Sequence, residues 1–476
     1  MNPPAAVIIL AAGQGTRMRS STPKVLHTLA GRSLLGHVAH VAAELNPQHL
    51  VAVVGHEAER VSAHLAELEV PISAARQTEQ RGTGDAVRAA LQSLPTLEGT
   101  VVVLNGDAPL LTPETLRQLI DEHGDNAATV LTALVPNPTG MGRIVRDATG
   151  ALNAIVEERD ADDTQRAIHE VNSGVFAFDA RKLQATLGKL TTDNAQNQEY
   201  LTDVIALLRA ANEPVGALQA HDYRETLGCN DRAELSILAG LLRDRLNERW
   251  MRAGVTMIDP ATIWLDVTVE LAPDVILEPG VQLKGVTRVE SGAIVGPDST
   301  LVDTTVAAQA RVVRSHCVGA RVGPSAEVGP FAYLRPQTDL GKDTKAGAFV
   351  EVKNATVGEG SKVPHLTYVG DATIGVHSNI GASSVFVNYD GVDKHHTTIG
   401  DHCRTGSDTM FVAPVTIGDG AYTAAGTVIT IDVPPGALAV ARAPQRNLEG
   451  WVQKRRAGSA AALAAARATQ HISGEK

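Results

Sequence analysis

A six-residue beat constrains this chain more than any other feature. Val322, Val328, Leu334, Leu340, Ala346 and Val352 are six apart. After a slip of one residue come Val357, Val363 and Val369, then Ile374, Ile380 and Phe386. A loop interrupts the series, and Ile399, Thr405, Phe411, Ile417, Thr423 and Ile429 resume it. Glycine follows many of these positions, among them Gly323, Gly358, Gly375, Gly400 and Gly418. A helix repeats about every 3.6 residues and a half-buried strand every second, so neither explains the spacing. Hexads suit a triangular β-solenoid. Each hexad forms one flat side with its aliphatic residue inward, and a tight turn makes the corner. Aromatic residues are only 3% of the chain, in keeping with a narrow prism that has no space for rings. Upstream, Val275, Val281, Val295 and Leu301 follow the beat more loosely.

Residues 1 to about 232 have a different texture. Val51–Val54 and Val101–Leu104 read as buried parallel strands and Pro113–His123 as a helix, the pattern of an α/β sheet with crossovers. Between the two textures, Leu235, Leu238, Leu242, Leu246 and Trp250 lie on one stripe at helical spacing. The expected organisation is an α/β domain over 1–232, a linker helix over 233–253 and a solenoid over 254–457. The Ala-rich tail, 458–476, is expected to be disordered or a frayed helix.

Composition removes several classes of function. With no run of about eighteen apolar residues, no membrane span is expected, and the start lacks the pattern of an export signal. Cys229, Cys317 and Cys403 are odd in number and far apart, which argues against a disulfide framework and for the reducing cytoplasm. A net charge of −11 argues against nucleic acid or anionic lipid as the main partner. Anionic substrates need local Arg and Lys.

The stretch IILAAGQGTRMRSSTPK supplies them. An aliphatic run enters a loop with Gly13 and Gly15, then Arg17, then Lys24 after a proline. A buried strand opening into a glycine loop before a helix offers backbone N–H groups to a phosphate, and two cations offset its charge. The motif is neither GxGxxG nor a Walker loop; with Thr16-Arg17-Met18 and Pro23-Lys24 it resembles the signature of sugar-nucleotide pyrophosphorylases. The hexads in turn resemble the left-handed β-helix of hexapeptide acyltransferases. Joined, the two halves resemble, along nearly the whole chain, the family of bacterial bifunctional N-acetylglucosamine-1-phosphate uridylyltransferase and glucosamine-1-phosphate N-acetyltransferases. That resemblance implies a Rossmann-like nucleotidyltransferase domain, a connecting helix and a left-handed parallel β-helix. It implies acetyl-CoA, UTP and Mg2+, a homotrimer, and a product that feeds cell-envelope polymers.

Residue by residue, it places Leu10, Ala11, Ala12 and Gly13 on the nucleotide, with Arg17 and Lys24 along its phosphates. Gln77, Gly82 and Thr83 read the uracil edge, where an amide is apt because it both donates and accepts. Asn105, Gly106 and Asp107 end a strand at the sheet's carboxyl edge, where α/β sheets bind ligands, and Asn105 replaces an aromatic of some relatives. Asp107 and Asn230 match the magnesium pair. Gly142, Glu157 and Asn172 match the acetylamino-sugar contacts.

On the solenoid, HLTYVGD matches the family's catalytic coil and makes His365 the proton acceptor. Arg335, Lys353, Tyr368 and Asn379 match the sugar-phosphate pocket. Ala382, Asn388, Tyr389, Ser407, Ala425 and Arg442 match acetyl-CoA positions, and Ser383 departs from the IGAGT of many relatives. The insertion at 387–398 reads as a flap over the coenzyme. Its His395-His396 pair, with His402, is a poor metal site, because adjacent strand residues point opposite ways. Two alternatives stand: a single-activity nucleotidyltransferase with a structural or regulatory solenoid, and a non-catalytic scaffold.

Overall fold

The computed structural model describes residues 3–474, which divide into two compact units with the boundary between Ser325 and Ala326. The division falls inside the repeat region.

The first unit opens with an α/β layer. Its main strands are β1 (Ala6–Leu10), β2 (His49–Val54), β3 (Ser73–Arg76), β4 (Thr100–Asn105), β5 (Ala128–Leu134), β6 (Arg143–Arg146), β7 (Leu152–Val156), β8 (Glu170–Asp179) and β9 (Val215–Gln219). The main path runs β9-β5-β8-β4-β1-β2-β3, with β6 and β7 joined to β8 at the side. All neighbours on that path are parallel except β8, which runs antiparallel to both β4 and β5. The central strands read as continuous aliphatic runs because both faces are covered. Ile8, Val51, Val53, Val101 and Val103 serve one core, and Val7, Ile9, Ala52, Val102 and Leu104 serve the other. The helices α1 (Leu34–Ala43), α2 (Ala58–Glu67), α3 (Thr83–Gln92) and α4 (Pro113–His123) make the crossovers; Thr112 caps α4 by accepting from the Thr115 N–H.

The linker helix, α5, runs Arg232–Arg252 and is capped by Asp231, whose carboxylate accepts from the Ala233 and Glu234 amides. Leu238, Leu242 and Leu246 are its buried stripe, while Leu235 and Trp250 are half-buried. The stripe packs with Met18, Leu29, Leu34 and Leu110 of the α/β layer. On the solenoid side, Asn247 Nδ2 donates to the carbonyls of Pro260 (2.8 Å) and Ile263 (3.1 Å). Because α5 holds both, the first coils belong to the same unit as the sheet.

Those coils are a parallel stack. Thr256–Met257, Ile276–Leu277, Ile294–Val295 and Arg311–Val312 form one side by successive pairing, and Glu270–Leu271, Arg288–Val289, Thr305–Val306 and Arg321–Val322 form another. The second unit holds coils of the same kind. Every hexad aliphatic from Val328 to Phe386 is at most 2% exposed. The prism does admit rings where two coils supply them together: Phe386 and Phe411 are fully buried with centroids 4.8 Å apart, each filling the space over the other.

The corners differ from expectation in one respect. Left-handed φ is supplied mostly by non-glycine residues, such as Asp298, Gln337, Asn354, Asp371 and Ser383. Gly358, Gly375, Gly400 and Gly418 lie outside that region, and their role is space: a Cβ on Gly358 would sit 2.7 Å from the backbone of Gly375. The tail is helical over Ala460–Gly474, as its alanine content favours.

Candidate active sites

The α/β layer carries two adjoining cavities at the carboxyl ends of β1 and β4, and both are bordered by Leu10, Thr83, Asn105 and Asp107. The first is lined also by Ala11, Ala12, Gly13, Lys24, Gln77 and Gly82. The second takes in Gly142, Glu157, Asn172 and Asn230. Gly106 is buried behind them, its N–H donating to the Leu10 carbonyl at 2.9 Å.

The loop after β1 does not lead into an α-helix. Gly15 and Arg19 both take left-handed φ, so only 3-10 turns form, at Thr16–Met18 and Lys24–Leu26. The left-handed Gly15 lies against Lys24: a Cβ there would sit 2.4 Å from Lys24 Cβ. That contact fixes where Lys24 emerges. Lys24 Nζ donates to Asp107 Oδ2 at 2.5 Å and to Asn230 Oδ1 at 3.4 Å, and an Arg17 guanidinium nitrogen donates to the same Asn230 oxygen at 2.8 Å. Two cations, a carboxylate and an amide oxygen thus meet at one point, although their residues lie more than 200 positions apart in sequence at the extremes (Arg17 to Asn230, 213).

The second cavity is organised around β8. Asn172 N–H donates to Gly142 O at 2.8 Å and Asn172 Oδ1 accepts from Gly174 N–H at 2.9 Å. Glu157 Oε1 accepts from the Thr202 hydroxyl at 3.2 Å, and burial pushes its carboxyl above the usual carboxylate range. Thr202 was not legible in advance, since it lies in an irregular stretch with no motif around it. Gln80 was passed over although it stands between Gln77 and Gly82; its Nε2 donates to Ala12 O at 3.1 Å and ties the glycine loop to the wall that carries Gln77.

In the second unit, Arg335, Lys353, Tyr368 and Asn388 are gathered by two carboxylates absent from the sequence-derived set. Glu351 accepts from Arg335 at 2.9 Å and pairs in register with Tyr368 of the next coil. Asp371, which is buried, accepts from Asn354 Nδ2 at 2.6 Å and from Asn388 Nδ2, and lies 3.7 Å from Lys353 Nζ. Burial opposes ionisation of Asp371, but these two amides with Lys353 and Lys394 outweigh it and hold the carboxyl below its usual range. Tyr368 leans across Gly370, where a Cβ would sit 2.3 Å from its hydroxyl oxygen.

The insertion does fold beside this group. Lys394, His395 and His396 line a cavity with Gln337, Lys353, Asn354 and Asp371. Lys394 is a further missed residue; its ammonium lowers the pKa of the neighbouring Lys353. His395 pairs with Asp390 (2.7 Å) and His396 with the Thr373 hydroxyl (3.0 Å), while His402 stacks on His377 at 5.2 Å. Each of the three faces a different partner.

His365 is exposed, and no other side chain bonds its imidazole among the described residues. Asn379 bridges to Arg404 of the next coil through the backbone. Ala382, Ser407 and Ala425 follow one corner column. Asp408 N–H donates to Ala382 O and Gly426 N–H to Ser407 O, both at 2.8 Å, and a Cβ on Gly406 would sit 2.4 Å from the Ala425 nitrogen. Tyr389 is exposed, its hydroxyl donating to Gly391 O at 2.7 Å, and Arg442 is exposed beyond the last strand.

Comparison with known proteins accords with both halves. Residues 7–171 match the MobA-like NTP transferase domain, and residues 396–430 match the bacterial transferase hexapeptide (six repeats). Over 99% of its length this chain is 61% identical to the bifunctional protein GlmU of Streptomyces avermitilis and 60% to that of Streptomyces coelicolor, covering 99% of each. It is 59% identical to the bifunctional protein GlmU of Kineococcus radiotolerans over 99% of the chain and 96% of that protein. The chain belongs to the GlmU family. As a GlmU-family protein it is a nucleotidyltransferase and an acetyltransferase, acting on small molecules. Among the described residues no helix is long and apolar enough to cross a membrane.

The GlmU relationship also raises the question of magnesium. Asp107 and Asn230 offer one carboxylate and one amide oxygen, a hard donor pair, and both already face a cation in Lys24. Magnesium characteristically takes one or two protein oxygens and completes its shell with phosphates and water. The residues present fit that ion.

Proposed function

We propose that the two activities form UDP-N-acetylglucosamine in sequence, each in its own half of the chain. The solenoid acetylates glucosamine 1-phosphate from acetyl-CoA; the α/β layer then joins the product to UTP and releases pyrophosphate. The observation that carries the nucleotidyl-transfer half is the meeting of Lys24, Arg17, Asp107 and Asn230 beside two adjoining cavities.

In the α/β layer no general base is required. A sugar phosphate has its second ionisation near ~6, by analogy with phosphoserine, so its oxygen is already an anion at neutral pH. The layer's task is alignment and charge compensation. Leu10 to Gly13 bind the nucleotide through backbone groups, Gln77, Gly82 and Thr83 face the base, and Asn105, Gly142, Glu157 and Asn172 orient the sugar. Lys24 and Arg17 offset charge as the pyrophosphate leaves. Asp107 and Asn230 would hold a magnesium ion, which would supply charge neutralisation and Lewis-acid polarisation at the phosphates.

The solenoid needs proton transfer. A sugar amine is largely ammonium at neutral pH, and His365 accepts its proton. The freed amine attacks the thioester carbonyl; a C–N bond forms, the C–S bond breaks, and the coenzyme leaves as its thiol. Arg335, Lys353 and Tyr368 hold the phosphate, Asn379 the sugar, and Ala382, Asn388, Tyr389, Ser407, Ala425 and Arg442 the coenzyme. The depressed Lys353 supports an anion there: two adjacent ammoniums are stabilised when a dianion binds between them. A homotrimer, with this site between neighbours, is supported by exposed apolar side chains on the solenoid sides, among them Met410, Val412 and Val428. Three buried cysteines, none of them in a disulfide, support a cytoplasmic setting.

Two assays on one preparation test the division: thiol release from acetyl-CoA with glucosamine 1-phosphate, and pyrophosphate release from UTP with N-acetylglucosamine 1-phosphate. Lys24→Ala is expected to lose the second and keep the first, and His365→Ala the reverse. Equal loss of both activities in either folded variant would contradict separate sites. Absence of thiol release from the unmodified protein would favour a single-activity nucleotidyltransferase.

A further inference from the structure

Gln77 lies on the wall of the nucleotide cavity, yet its amide is not free to serve as donor and acceptor alike. The residue is 6% exposed, and its Nε2 donates to Asp85 Oδ2 at 2.8 Å and to the Gly82 carbonyl at 3.1 Å. Both neighbours can only accept. Turning the amide over would set Oε1 against a carboxylate and a carbonyl, so chemistry fixes its orientation. The backbone is held as well, Gln77 N–H donating to Val54 O at 2.8 Å. Among the described residues no donor reaches Gln77 Oε1, which leaves a lone oxygen acceptor for a ligand.

Asp85 is itself held in place. It is 8% exposed, and its Oδ1 takes hydrogen bonds from Arg81 and Arg88, both at 3.2 Å. Arg88 is anchored in turn on the Leu187 carbonyl at 3.0 Å and on Glu199. Two guanidiniums therefore hold the Asp85 carboxylate by Oδ1, with Oδ2 turned toward Gln77, while the residue stays out of the cavity lining.

We propose that Asp85 is a positioning residue for base choice: by locking the Gln77 amide with its oxygen toward the nucleotide, it makes the cavity accept a base with a ring N–H on its pairing edge and reject cytosine. Uracil has that N–H at N3. Cytosine carries a lone pair there, which would face the Gln77 oxygen directly. A site built around one hydrogen bond rejects the analogue that lacks it because the buried polar group is left unpaired. The inference rests on the reading that Gln77 faces the base.

The test compares kcat/KM for UTP and CTP, with N-acetylglucosamine 1-phosphate as acceptor, in the full-length protein and in Asp85→Asn and Gln77→Ala. A ratio of the two values does not depend on the fraction of active enzyme, so partial misfolding does not blur it. Asn at 85 can offer Gln77 an N–H, which leaves only the longer Gly82 contact opposing a reversed amide that donates to cytosine. The UTP/CTP ratio is expected to fall about tenfold or more, with kcat/KM for CTP rising in absolute terms, a change that mere structural damage would not produce. The KM for the sugar phosphate is expected to hold. An unchanged ratio in Asp85→Asn, with a collapsed ratio in Gln77→Ala, overturns the role of Asp85 alone. An unchanged ratio in Gln77→Ala overturns the reading beneath it.

Discussion

Replacing Gly381 by alanine isolates how tightly the coils of the solenoid stack beneath Ala382 and Ser407, two of the residues proposed to hold acetyl-CoA. Gly381 does not occupy left-handed backbone, so alanine there meets no dihedral penalty and the effect is one of space alone. The new Cβ would sit 2.3 Å from both the carbonyl carbon and the oxygen of Gly406 and 2.6 Å from the nitrogen of Ser407. Ordinary van der Waals contact starts at 3.4 Å, so the coils would have to part by about 1 Å. All three atoms are backbone and belong to a hydrogen-bonded corner, so no flexible side chain can give way. Overpacking of this kind costs about 3 kcal/mol, near the top of the usual range. For a unit of this size that is a fall in melting temperature of about 6–12 °C. Acetyl transfer should fall with it, since Ala382 and Ser407 lie on the displaced turns. Thermal melting by circular dichroism, with thiol release and pyrophosphate release on the same sample, reads all three effects. Melting within 2 °C of the parent, roughly the effect of half a kcal/mol, together with full acetyl transfer, would show that the corner yields. The argument from close stacking would then be refuted.

Other perturbations bear on the sites directly. In Asp371→Asn, one of the two amides bonded to the carboxylate meets an NH2 group in place of an oxygen; a loss of about 1–3 kcal/mol is expected, with a raised KM for acetyl-CoA and unaltered uridylyl transfer. Unchanged acetylation would remove Asp371 from the account. For Glu157, burial raises the folded-state pKa above the ordinary 4.5, so the charged form is disfavoured by folding. Its sign is therefore that stability is greater below the unfolded pKa and declines as pH rises through the folded one. Glu157→Gln should melt higher than the parent at pH 7, with the difference vanishing in acid; a pH-independent difference would contradict this. The parent's KM for the sugar phosphate should also climb as acid neutralises Glu157, an effect that the Gln variant lacks.

Much of the architecture was legible in the order of residues. A hexad repeat admits few solutions, because only a three-sided coil returns an aliphatic residue to the interior every six positions; Val328 to Phe386 are buried as that requires. The aliphatic runs of β1, β2 and β4 likewise announced a sheet covered on both faces. Resemblance to a known family singled out Lys24, Asp107 and His365 as candidates, since short signatures travel intact along the chain. Tertiary structure alone decided what stands beside them. That Asn230 meets Arg17, that Glu351 and Asp371 collect the cations of the second unit, and that Asp85 turns the Gln77 amide are contacts between distant segments. Hydrogen bonds are set by direction and distance in space, and neither is encoded by any local pattern of residue types. The same holds for the glycine corners. Sequence placed them, but only the separation of neighbouring coils revealed that several serve to leave room and not to permit an unusual φ.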